Sequence, residues 1–185
     1  MLIGALIFCQ SLLIWQAIYK SKNLLAGFKH VAQQELPATK YSTLVDMKHD
    51  SINSIVLKSM YLDLLKQKEQ IGELRVELIQ MAKEFNTYLS NLKELELSAE
   101  SLKQLKDVTP VVNEYIQTAQ IILDSIILDK KDNFIQDKNK FESLFKKLEV
   151  DLGTMSDNIH KDAVSSNDIG QDIVESIVWR NFKSS

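Results

Sequence analysis

Histidine, aspartate and asparagine stand together in one short stretch, DMKHDSINSIVLKSM at residues 46–60, where His49, Asp50 and Asn53 interrupt an otherwise apolar band. An imidazole beside a carboxylate can take up a proton, bind a metal, tie two helices in register or face a ligand. A metal site requires ligands that converge on one point. If His49 and His160 lie on antiparallel helices, residue 49 falls opposite about residue 150, an offset of roughly 15 Å, and His30 does not close the gap. No metal is expected. The single cysteine, Cys9, sits in an apolar N-terminal run, which rules out an intrachain disulfide and a soluble thiol nucleophile. Gly-rich phosphate loops and zinc-binding helix motifs are absent from the sequence, and the carboxylates alternate with lysines as on a solvated helix face. The reading therefore expects no catalytic residue, no cofactor and no enzymatic activity.

The elements that must position these side chains are helices. With five Gly and two Pro in 185 residues, and 45% apolar residues, the chain lacks the punctuation that strands and tight turns need. A net charge of −3 and a pI near 5.7 give no basic footprint for nucleic acid. Residues 1–19, MLIGALIFCQSLLIWQAIY, carry no charge and match the roughly 20 residues that cross a bilayer. A cleaved signal would show a basic start and a small-residue cleavage site, and bulky Phe8 argues against lipidation at Cys9. An uncleaved membrane span is expected, with a cytoplasmic lead-in ahead of Met1, although Lys20, Lys22 and Lys29 after the span oppose that orientation.

After the span, apolar residues recur at helical spacing. One stripe runs Ile71, Leu74, Leu78, Met81, Phe85, Tyr88, Leu92, Leu95, and a second runs Leu105, Val108, Val112, Tyr115, Ala119, Ile122, Ile126. A third begins Phe141, Leu144, Leu148, Leu152, Met155, Ile159 and continues through Ile169, Ile173 and Ile177. The first helix carries a wider band, from Leu44 to Leu65, broad enough to face two partners. Polar breaks at 66–70, 96–101 and 129–133 divide the domain at 20–185 into helices of about 22–66, 69–96, 99–128 and 133–178, with Ser98 and Asp132 or Asn133 as caps. Pro37 and Pro110 should each kink or restart a helix, with Thr109 as a cap for the latter. Short connections make neighbours antiparallel, so the expected fold is all-α: an antiparallel up-down-up-down four-helix bundle with long first and fourth helices, preceded by a membrane span. The two long helices overhang at the end adjoining the span, which predicts a second span following Ser185.

The span, LPATK at 36–40, DMKHDSINSIVL at 46–57 and VTPVVNEYIQTAQ at 108–120 together resemble the four-helix-bundle sensory region of bacterial methyl-accepting chemotaxis proteins. His49, Asp50, Pro110 and Tyr115 match places that recur in that family, and Asn53 stands where many members carry arginine. The resemblance implies a periplasmic sensor domain on the bacterial inner membrane. It implies a homodimer packed through the first helix, with a ligand held between helices or near the dimer seam. The ligand would be an amino acid, organic acid or amine, or would arrive on a ligand-carrying binding protein, and a small shift of the fourth helix would carry the signal. The polar cluster has three readings: His49 and Asp50 as a structural pair fixing dimer register, His49, Asn53 and Tyr115 as the lining of a ligand pocket, or simple surface exposure. Arg75, flanking the helix-two stripe, is either solvated or a contact for an anionic ligand. Because asparagine offers only neutral hydrogen bonds where arginine would form a bidentate charged pair, Asn53 points away from the carboxylate ligands arginine suits. The input domain of a membrane sensor histidine kinase and a membrane-anchored helical scaffold without a ligand fit the same pattern.

Overall fold

Helices satisfy their own backbone hydrogen bonds, so what decides how a chain of them folds is where the apolar stripes are buried. A computed structural model describes the backbone of residues 2–130 and 132–182, and the side chains of residues 10, 12–130 and 132–163. The elements are α1 Leu2–His30, a π turn Val31–Glu35, α2 Leu36–Leu64, α3 Lys68–Lys93, α4 Ala99–Ile127 and α5 Phe134–Phe182. No strand occurs among the described residues.

Helices α2 to α5 form the bundle, each packing on the next and α5 closing back on α2. Cross-helix pairs fix the direction. Tyr41 stacks on Tyr88 while Lys48 reaches Glu84, and Ser101 bonds Asp162 while Lys140 reaches Glu114. Numbers rise on one partner as they fall on the other, so these pairs are antiparallel. The stripes form the core: Leu78, Phe85 and Leu92 of α3, Val112, Tyr115 and Ile122 of α4, and Phe141, Leu148 and Leu152 of α5 are all buried. Each large apolar side chain so buried contributes about 1.5–3 kcal/mol. Ile169, Ile173 and Ile177 lie outside the described side chains. The wide band on α2 divides into two faces. Val45, Ile52, Val56 and Leu62 enter the core, while Met47, Leu57, Tyr61 and Leu64 stay exposed.

The two prolines behave differently. Pro37 opens α2 immediately after the π turn, so the first helix restarts there as its proline predicts. Pro110 lies inside α4, which runs unbroken, and Thr109 donates to the Leu105 carbonyl at 2.6 Å instead of capping a new helix. Proline is tolerated at this point because it is on the exposed side of the helix, where water can serve the carbonyl it leaves open.

Helix ends are closed locally. Ser98 caps α4 by accepting from the Ser101 amide at 3.2 Å. At the end of α2, Lys66 N–H reaches the Asp63 carbonyl and Gln67 N–H the Leu62 carbonyl; Asp129 and Lys130 repeat the pattern after α4. These are Schellman ends, which place a left-handed residue just past the helix, here Lys66 at φ 60° and Asp129 at φ 55°.

α3 is about 39 Å long and α5 about 74 Å at 1.5 Å per residue. Both α1 and the far part of α5 continue past the α3–α4 connection, at the same end of the bundle. Among the described residues no helix is long and apolar enough to cross a membrane. The span expected over residues 1–19 lies largely on side chains outside that description, those of 1–9 and 11.

Candidate functional site

His49 is carried on the core face of α2, 1% exposed. Its ring stacks on Phe145 of α5, centroids 4.3 Å apart, and Nε2 lies 3.1 Å from the Phe145 carbonyl oxygen. A carbonyl only accepts, so Nε2 carries the proton and Nδ1 holds the lone pair of the neutral imidazole. That Nδ1 is 3.7 Å from Oδ1 of Asp50, whose side chain is 72% exposed. From α4, the buried Tyr115 hydroxyl donates to the His49 carbonyl at 3.0 Å, and its ring stacks on Phe141 at 4.7 Å. Phe145 of α5 and Tyr115 of α4 thus flank one backbone-anchored imidazole, with Phe141 stacked behind Tyr115.

Burial dominates the electrostatics. It lowers the His49 pKa from the ordinary 6.5, against smaller raising effects from the bond to the Phe145 carbonyl and the charges of Asp50, Asp46 and Glu149. Burial likewise pushes the Tyr115 phenol up, with a further contribution from the Asp50 charge. The arrangement can do one piece of proton chemistry: Nδ1 of His49 is the open basic atom, facing a solvated carboxylate.

The residues singled out in the sequence are distributed as follows. His49 and Tyr115 come together, hydroxyl to carbonyl, and their rings stand 5.4 Å apart at 47°. Asn53, one turn beyond His49 on α2, is half-buried. Asp50 points outward beside His49. Arg75 stands elsewhere, exposed on α3, where Nε donates to Oδ1 of Asp124 on α4 at 2.5 Å. His160 is exposed on α5, and His30 lies at the end of α1.

Sequence reasoning missed a second polar locality at the end where α1 leaves the bundle. A cavity of about 40 Å³ is lined there by His30, Gln34, Glu35, Leu97, Ile159 and Asp162, among others. Gln34 Oε1 accepts from the Glu96 amide at 2.9 Å, and Asp162 Oδ2 accepts from the Ser101 hydroxyl at 2.8 Å. Glu35 Oε1 is buried without a hydrogen-bond partner, with His30 Nε2 3.8 Å away. The available signal was Pro37, whose missing donor forces an irregular turn just before it. Phe145 was also missed, because it falls beside the Leu144 stripe position instead of on it.

Comparison with known proteins finds no matching family model, no similar curated protein and no similar solved structure.

Proposed function

We propose that this chain is the extracytoplasmic ligand-sensing domain of a bacterial chemoreceptor, anchored in the inner membrane and working as a homodimer. The observation that carries the reading is that α1 and α5, the longest helix, leave the bundle at the same end. A sensor of this kind needs a stiff element running from its ligand site towards the membrane, and α5 runs without a break from the distal connection past the whole bundle. Two further features support it. Along α1, Leu13, Ile14, Trp15, Ile18, Leu25 and Phe28 are more than half exposed, on several sides of the helix, as suits a segment that meets lipid. The outward apolar face of α2, with Leu36, Met47, Leu57 and Tyr61, is the surface a second copy would cover. In this reading Asn53 meets the small ligand and the His49–Tyr115 lock transmits its binding to α5 through Phe145.

The test is a thermal-shift panel on the full chain in detergent, using amino acids, organic acids and amines at millimolar concentration. One class should raise the melting temperature, and Asn53→Ala should abolish that rise. No stabilising class, together with an elongated rod in small-angle scattering, would refute the sensor reading and favour the anchored scaffold. Output through a kinase module in place of a chemoreceptor signalling hairpin would keep ligand sensing and change only the downstream partner.

A further inference from the structure

Pro37 has no N–H to offer the Gln33 carbonyl, and in a regular α-helix its ring would press against that carbonyl four residues back. The chain widens the turn just before it. Leu36 N–H bonds the Val31 carbonyl, five residues back, within the π turn Val31–Glu35. A π turn holds one residue more than an α turn, so it sets the rotational phase of everything on its N-terminal side. Regularising the turn with the same residues would rotate α1 by about 100° about its axis and push it about 1.5 Å away from the bundle. The other accommodation of a proline is a kinked α-helix. The same sequence therefore has two ways to join α1 to α2.

Side chains set the balance between them. The bond from the Glu96 amide to Gln34 Oε1 ties the turn to the α3–α4 connection and favours the π register. Against it stands Glu35 Oε1, buried and without a hydrogen-bond partner. A buried acceptor left unmet is a cost of the register that buries it. The cavity beside Glu35 leaves space for the side chain to move, and its far wall is Ile159 and Asp162 of α5. One turn thus touches the end of α1, the α3–α4 connection and α5.

We infer that the π turn Val31–Glu35 is a two-register junction, held in the π register by the Gln34–Glu96 hydrogen bond and released to a proline-kinked α register when that bond opens. This deepens the sensor reading, for which it supplies the element that changes the phase of α1, but the geometry of the turn carries it.

The test needs no ligand, so failure of the sensor reading leaves its outcome intact. Hydrogen exchange is measured on the full chain and on Gln34→Ala. Losing one neutral hydrogen bond shifts the balance about fivefold, so the amides of residues 31–36 should exchange about fivefold faster while those of α3 are unchanged. Nitroxides at Lys22→Cys on α1 and Lys93→Cys on α3, in a Cys9→Ser background, report the register by pulsed electron paramagnetic resonance. Gln34→Ala should enlarge a second distance population about fivefold. Unchanged exchange, or an unchanged single distance, in Gln34→Ala overturns the proposal.

Discussion

Acid should weaken this bundle through His49, and the size of the effect follows from two opposing interactions. Burying a charged imidazole costs several kcal/mol after relaxation of the surroundings. The Asp50 carboxylate 3.7 Å away would repay part of this, but its side chain is 72% exposed, and at water-like screening a pair at this distance is worth only about 1 kcal/mol. Burial wins, which is why the His49 pKa is lowered in the folded protein. With a depressed folded pKa, the unfolded chain binds the proton first as pH falls through 6.5. The stability is therefore complete above that pH and declines below it, by at most about 1.4 kcal/mol per pH unit, until the folded pKa is reached. The measurement is urea unfolding of the full chain at half-unit steps from pH 8 to pH 5, beside His49→Gln. Glutamine keeps a donor for the Phe145 carbonyl and cannot titrate, so subtracting the two curves removes the contribution of every other group. The difference should be flat above about pH 7 and turn against the wild type below 6.5. A difference that grows in favour of the wild type in acid would mean that the Asp50 pair outweighs burial, and would refute the reasoning.

Three further outcomes are expected. Tyr115→Phe keeps the ring stacked on Phe141 but removes the bond to the His49 carbonyl, and should cost about 1 kcal/mol in chemical unfolding. Lys66→Gly should raise stability by about 0.5–1 kcal/mol, seen as a higher melting temperature, because Lys66 occupies a left-handed position that glycine enters without a Cβ penalty. Phe85→Ala, at a fully buried position of α3, should cost about 3–5 kcal/mol by urea unfolding.

Much of the core was legible because its signal is local. A residue such as Val112 or Leu148 declares itself by spacing along one helix, and burying the stripe is the only way to remove it from water. The cap at Ser98 was legible for the same reason, since its partner, the Ser101 amide, is three residues away. The Schellman ends were harder to read because the usual glycine is replaced by Lys66 and Asp129, which carry no turn signal of comparable strength. The candidate site was half legible. His49 was conspicuous as a polar residue in an apolar band, and Tyr115 as a stripe member with a hydroxyl, but their partners are backbone carbonyls, which leave no mark in a sequence. Arg75 was visible, yet its bond to Asp124 spans 49 positions and depends on how α3 settles against α4.

By itself the amino-acid sequence determined the helical character of the chain, the stripes that must be buried and the places where helices stop, because each depends on periodicity and on chemistry within a turn or two. Tertiary structure decided the rest. It set His49 against Phe145, 96 positions away, aimed Tyr115 at a carbonyl on another helix, and left Glu35 Oε1 without a hydrogen-bond partner at a π turn beside the α3–α4 connection. These contacts arise from the axial register in which the helices pack. Register is a sum of many weak side-chain fits across the whole interface, and no short stretch of sequence contains it.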